Sequence, residues 1–239
     1  MSVPQKIRCM VVGVNDHGGH VYTLELKPER PAPLFLPGQF MHLAVDAYEP
    51  GDFWPESRVF SIASTPTQRG QLSITYSVVG SFTTKMEQRI QVGTEVWAKF
   101  PYGDFIIQSE CDVVLIAGGT GITAFTAFLD GLTPDQEQTV SLFYGARNRE
   151  LLIFKPLVER KVKAVRGLSA WYFIEESEPD EQERVLYGKL SVQSILPKVP
   201  HPLNSDFYLS GPPAMLKKIS LDLKSKAITP EHIKIDSWA

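Results

Sequence analysis

Near residues 108–112 the sequence changes its pattern, and that change restricts the chain to folds with two differently built parts. Before it, short β-rich segments recur at residues 7–12, 21–26, 40–45 and 72–76. Turn formers separate them at Asn15-Asp16-His17-Gly18-Gly19, Pro37-Gly38 and Arg69-Gly70. Strands of this length and spacing predict a closed antiparallel β-barrel, which has no free edges. Residues 81–89 lack strand alternation and predict one short helix. After the change, Asp112-Val113-Val114-Leu115-Ile116-Ala117 is a continuous apolar run, as in a strand buried on both faces. A helix is expected over residues 123–129, a strand over 139–144 and a helical stretch to about Arg160. Further strands are expected at 171–174 and 207–209. Strands alternating with helices predict an α/β domain with a parallel sheet. The expected division is a barrel domain over 1–108 and an α/β domain over 109–239, with proline-rich loops at 28–37 and 197–202.

Composition narrows the function classes. A formal net charge of −3 argues against a nucleic-acid surface. No apolar run approaches the ~20 residues of a membrane helix. The opening Met1-Ser2-Val3-Pro4-Gln5-Lys6 has no signal-peptide core, so a cytoplasmic protein is expected. The chain has only two cysteines, Cys9 and Cys111, and an all-cysteine [2Fe–2S] site needs four. Both are expected to be buried, reduced thiols.

Four short strings carry the candidate chemistry. Gly118-Gly119-Thr120-Gly121-Ile122 follows an apolar strand and precedes a helix. Glycines there allow a sharp turn and close approach to a phosphate, and the helix start offers free N–H groups. Read alone, the string is equally a plain strand–helix turn. Ser210-Gly211-Pro212-Pro213 also follows an apolar strand, and its prolines suit a first helical turn. Both strings would lie at the carboxyl edge of one parallel sheet, where such folds bind ligands. In the strand-like run Arg58-Val59-Phe60-Ser61, alternation puts Arg58 and Phe60 on one face. A guanidinium fork suits a phosphate and a neighbouring ring suits a flat heterocycle. The fourth string, Gly80-Ser81-Phe82-Thr83-Thr84, opens the predicted helix and offers hydroxyls and N–H groups for a second phosphate, or simply a helix cap.

Taken in this order, the set resembles the ferredoxin–NADP⁺ reductase superfamily over nearly the whole chain, without an iron–sulfur domain in this sequence. The family's Arg-x-Tyr-Ser is met by Arg58, Phe60 and Ser61, with phenylalanine in place of tyrosine. Its Gly-x-x-Ser/Thr is met by Gly80 and Thr83, and its turn before the domain junction by residues 101–105. Its Gly-Gly-Thr-Gly-Ile-Thr-Pro is met except at Ala124, and its Cys-Gly-Pro-Pro except at Ser210.

The resemblance implies FAD rather than FMN in the barrel and NADH or NADPH on the α/β domain. Arg58 would meet the flavin pyrophosphate, Phe60 the ring or ribityl chain, and Ser61 the flavin N5. Val59, Val78, Gly80, Ser81, Phe82, Thr83 and Thr84 complete the flavin site. Gly119, Thr120, Gly121, Ile122, Gly145, Arg147, Gly211, Pro212 and Pro213 would hold the dinucleotide. Tyr144-Gly145-Ala146-Arg147 would flank the adenosine ribose, and Glu175-Glu176-Ser177-Glu178 would disfavour a 2′-phosphate, pointing to NADH. Ser61, Ser210 and Asp236 are the implied catalytic positions, and Trp238 is a candidate to cover the flavin. The implied activity passes electrons from a nicotinamide through FAD to a ferredoxin, flavodoxin, oxygenase component or small-molecule acceptor. Two alternatives remain open: a reductase of diffusible flavin or ferric chelates, and a noncatalytic electron-relay subunit.

Overall fold

In the strands of the first half, buried apolar residues recur largely at alternate positions and face one shared interior. The computed structural model describes residues 3–176 and 185–236. The chain divides into two units, Met1–Ile106 and Ile107–Ala239.

The first unit holds β1 (Gln5–Asp16), β2 (Val21–Pro28), β3 (Phe40–Ala44), β4 (Ser57–Ser61), β5 (Leu72–Ser77), α1 (Ser81–Arg89) and β6 (Glu95–Tyr102). The strands form one antiparallel sheet in the order β4-β3-β6-β1-β2-β5. The sheet curls until its edges meet just beyond β4, where the Ala63 amide donates to the Ser73 carbonyl at 2.9 Å. The Ser73 amide donates in turn to Ser64 Oγ at 3.1 Å. The barrel is therefore nearly closed, held at the seam by a few hydrogen bonds rather than a full ladder.

Ile7, Leu24, Leu43, Ile74, Val96 and Phe100 are among its fully buried residues. α1 places Phe82 and Met86, one turn apart, into the same core. Each such burial stabilises by about 1.5–3 kcal/mol. β6 was not anticipated, although Val96, Ala98 and Phe100 alternate inward and the strand lies between β3 and β1. Cys9 is buried, and burial, with a smaller contribution from Glu29, pushes its thiol pKa up to about 12. Cys111 departs from the expectation of burial and is only partly covered, because it precedes the first strand of the second unit rather than sitting within it.

The second unit runs β7 (Asp112–Gly118), a 3₁₀ turn (Gly119–Ile122), α2 (Thr123–Gly131), β8 (Val140–Ala146), α3 (Lys155–Ala164), β9 (Leu168–Ile174) and β10 (Val185–Tyr187). It continues through α4 (Val192–Ile195), β11 (Ser205–Ser210), α5 (Pro213–Ser225) and β12 (Ile233–Ile235). All its ladders are parallel, in the order β10-β9-β8-β7-β11-β12. β7 is buried along almost its whole length, as its unbroken apolar run requires. The chain builds outward from β7 through β8 to β10, then returns to the other side of β7 with β11. The strand order thus reverses between β7 and β11, and the carboxyl ends there form the fold's ligand crevice. The proline-bearing stretch 197–202 is not a plain loop: 3₁₀ turns occupy Leu196–Lys198 and Pro202–Asn204.

Candidate functional site

The barrel unit contributes β4 and the start of α1. Arg58 and Phe60 share a face of β4 with the barrel interior, since Leu43 and Met41 pair with them across the ladder. Phe60 is nearly buried and meets Tyr76 edge-on, with ring centroids 6.1 Å apart. Arg58 stands where that face meets solvent. Its guanidinium lies 5.1 Å from the centre of the Phe82 ring in the first turn of α1. It donates to Glu56 Oε1 and to the Ser57 carbonyl, each at 2.9 Å.

The helix itself starts without a side-chain cap, because its N-cap is Gly80. The first N–H groups of a helix have no partner within it, so those of Ser81, Phe82 and Thr83 are available beside a guanidinium. Thr83 serves the turn: its hydroxyl accepts from the Val79 and Gly80 amides at 2.9 and 3.1 Å. Val78 is anchored by its amide to the His20 carbonyl at 2.9 Å, and Thr84 by its amide to the Gly80 carbonyl at 2.9 Å. Ser81 is exposed. A cation and uncapped amides at one helix start form a fitting receptor for a phosphate group.

On the opposite face of β4 lie Val59 and Ser61, paired with His42 and Phe40 of β3. Here the sequence reading missed an aromatic cluster. Phe40 stacks on Tyr102 with centroids 5.9 Å apart, and His42 meets Tyr102 edge-on at 5.0 Å. Burial, helped by the Lys99 charge, holds the His42 pKa below its usual value, so its imidazole is neutral at neutral pH. The one sequence signal for this cluster was the alternation of Phe40 and His42 on a common face.

In the second unit the two glycine strings meet. A Cβ on Gly121 would lie 2.5 Å from the Ser210 carbonyl and 2.6 Å from the Gly211 amide nitrogen. A Cβ on Gly211 would lie 2.9 Å from the backbone of Gly118. These glycines let the loops after β7 and β11 cross at van der Waals contact. Gly119 differs. Its φ is +54°, and a Cβ there would meet nothing within 4 Å. Gly119 and Thr120 are partly exposed, while Gly121 and Ile122 are buried. Gly119 therefore forms the open part of the cradle, and Gly121 and Ile122 its foundation. Pro212 and Pro213 are exposed at the start of α5.

Ser210 and Asp236 come together from the ends of β11 and β12. Both are buried, and Ser210 Oγ donates to Asp236 Oδ2 at 3.0 Å. The Asp236 amide donates to the Leu209 carbonyl at 2.9 Å, fixing the carboxylate beside the crevice.

At the next strand ends, Gly145 packs against Leu190: a Cβ would lie 2.8 Å from Leu190 Cδ1. Arg147 is exposed, and its carbonyl accepts from the Glu175 and Glu176 amides at 3.2 and 3.0 Å. The two acidic residues thus adjoin Arg147, and Glu175 pairs with Lys189 at 3.4 Å. Ser177, Glu178 and Trp238 lie outside the described residues.

A nearly closed antiparallel barrel followed by a parallel sheet with glycine crossings at its switch point is a two-part fold whose second part has the form of a dinucleotide-binding domain. Residues 115–220 match the oxidoreductase NAD-binding domain family. The chain is 29% identical over 210 residues to the anthranilate 1,2-dioxygenase electron transfer component of Acinetobacter baylyi, covering 83% of this chain and 57% of that protein. It is 25% identical over 245 residues to the propane 2-monooxygenase reductase component of Mycolicibacterium smegmatis, covering 98% of this chain and 68% of that protein. The crystal structure of the Amycolatopsis cytochrome P450 reductase GcoB shares the fold, with a TM-score of 0.83 at 23% identity over 98% of this chain and 70% of that one. These structural likenesses show the fold, and the chain spans only 57% of the length of the first of these relatives. Among the described residues, no helix is long and apolar enough to cross a membrane.

Proposed function

We propose that the chain is an NAD(P)H-dependent flavoprotein reductase that passes electrons through FAD to a one-electron acceptor. The observation that carries this reading is the pairing, in one chain, of two receptors for phosphate groups. One is the uncapped start of α1 beside Arg58; the other is the Gly119 cradle at the switch point between β7 and β11. A bound flavin would accept a hydride and release its electrons singly, which a nicotinamide does not readily do.

The chain's own residues have the tasks of binding, orienting and excluding water. Arg58 and the first-turn amides of α1 would hold the diphosphate, while Val59, Phe60 and Ser61 would line the ring-side strand. Gly119 and Thr120 would bring backbone up to the dinucleotide phosphates, with Gly121, Ile122, Gly211 and Pro212 holding that loop in place. Ser210, held by Asp236, would present a hydroxyl of defined orientation at the carboxyl edge of β11.

Glu175 and Glu176 beside Arg147 favour NADH over NADPH, because carboxylates repel a 2′-phosphate and accept hydrogen bonds from a 2′-hydroxyl. A kcat/KM favouring NADPH tenfold or more would reverse that preference. Two relatives are named as the electron transfer component of a dioxygenase and the reductase component of a monooxygenase. This supports an oxygenase component as the acceptor, with ferredoxin, flavodoxin and small molecules as other acceptors of the same class.

The test is an absorption spectrum of the purified protein followed by anaerobic titration with each nicotinamide. A yellow protein bleached by NADH is the expected result. A colourless protein that reduces added flavin would move the reading to diffusible flavin. A yellow protein that neither nicotinamide bleaches would leave an electron-relay subunit.

A further inference from the structure

The segment between β3 and β4 is acidic. Residues 46–56 carry Asp46, Glu49, Asp52 and Glu56 and no lysine or arginine. Its two end carboxylates lie on basic groups around α1. Asp46 pairs with Lys85 at 2.5 Å and Arg89 at 3.6 Å. Glu56 pairs with Arg58 at 2.9 Å. The second contact is the informative one. The same guanidinium that lies over Phe82 at the uncapped start of α1 already holds an anion, supplied by the chain two residues away. A carboxylate and a phosphate oxygen are alternative acceptors for one arginine fork.

We infer that Glu56 is an internal competitor at the phosphate receptor and sets how tightly this chain retains a diphosphate-bearing flavin; this rests on the proposed flavin reading. When a diphosphate enters, its oxygens compete with Glu56 for the Arg58 donors, and the carboxylate stays nearby as a like charge. Both effects oppose binding. Both act only on ligands that carry phosphate, so the isoalloxazine contributes equally with or without Glu56.

The test uses the flavin-free protein and titrates FAD, riboflavin and ADP into the wild type, Glu56→Gln, Arg58→Ala and the double variant. Glu56 is half-exposed, and glutamine keeps its size, so the fold is retained; the melting temperature of each variant checks this. Glu56→Gln is expected to tighten FAD about three- to tenfold, the range open to an exposed ion pair plus a neighbouring like charge. ADP should tighten similarly and riboflavin should not change. In the Arg58→Ala background the same substitution should gain less, because the ion pair is already gone. Unchanged or weaker FAD binding in Glu56→Gln would overturn the inference, as would equal tightening of riboflavin. If Arg58→Ala leaves FAD affinity unchanged, the phosphate role of Arg58 falls and the inference with it. If Arg58→Ala weakens FAD while Glu56→Gln does not tighten it, the role of Glu56 alone falls.

Discussion

The two units build their candidate phosphate receptors from opposite materials. In the barrel unit the receptor depends on a side chain, the Arg58 guanidinium laid over Phe82, with the α1 amides behind it. In the second unit it depends on missing side chains: Gly121 and Gly211 let two loops cross, and Gly119 leaves open space at positive φ. The first kind of site is broken by taking atoms away, the second by adding one. Their burial follows the same division. Arg58 is half-exposed and can exchange partners, whereas the glycine crossing is buried and has no room to adjust.

The largest expected effect breaks the barrel side. Arg58→Ala should cost flavin affinity by about 1.5–3 kcal/mol, the range for hydrogen bonds to a charged group. Flavin content after gel filtration and a flavin titration measure it, and the melting temperature of the flavin-free protein should barely move.

Next comes the loop crossing. Gly121→Ala places a methyl 2.5 Å from the Ser210 carbonyl. Since backbone on both sides must shift, the second unit should lose about 1–3 kcal/mol of stability. A lower unfolding midpoint would be seen in that unit, with the barrel's unchanged.

Gly119→Ala sharpens the contrast. Its Cβ meets nothing, so the cost is the left-handed backbone alone, about 1 kcal/mol. Nicotinamide affinity should fall by more than stability does, because the methyl would stand where a phosphate approaches. Equal losses at Gly119 and Gly121 would remove the distinction between cradle and foundation.

The smallest effect concerns pH. Burial pulls the Asp112 carboxyl upward, but hydrogen bonds from His201 and the Thr139 amide outweigh it, and its pKa lies below the usual value. A depressed pKa contributes stability above the unfolded value and loses it as pH falls through the folded one. Asp112→Asn should therefore flatten the acid limb of stability against pH in the second unit, leaving the barrel's limb as it was. Thermal melts from pH 6 down to pH 3 would detect it.

The strings that carry the resemblance, Arg58-Val59-Phe60-Ser61, Gly118-Gly119-Thr120-Gly121 and Ser210-Gly211-Pro212-Pro213, are contiguous, and each occupies a single strand or strand-end turn. That is why they were legible without coordinates. So were α1, whose residues lack strand alternation, and β7, whose apolar run suits a strand covered on both faces. β6 escaped although it alternates, because Glu95 and Lys99 on its outer face and Ala98 on its inner face weaken the β-rich signal. The aromatic cluster of Phe40, His42 and Tyr102 escaped because it joins β3 to β6 across a ladder.

The amino-acid sequence by itself determined the two-part architecture and the segments that end at the candidate site, because periodicity, turn residues and glycine strings act locally. The division of labour among those residues was decided by tertiary structure. Only the crossing of β7 and β11 loops distinguishes Gly119 from Gly121, only the ends of β11 and β12 bring Ser210 to Asp236, and only the packing of α1 against β4 sets Arg58 over Phe82 with Glu56 in its grasp. Steric contact and hydrogen bonding between distant segments depend on where folding puts them, and no local pattern encodes that distance.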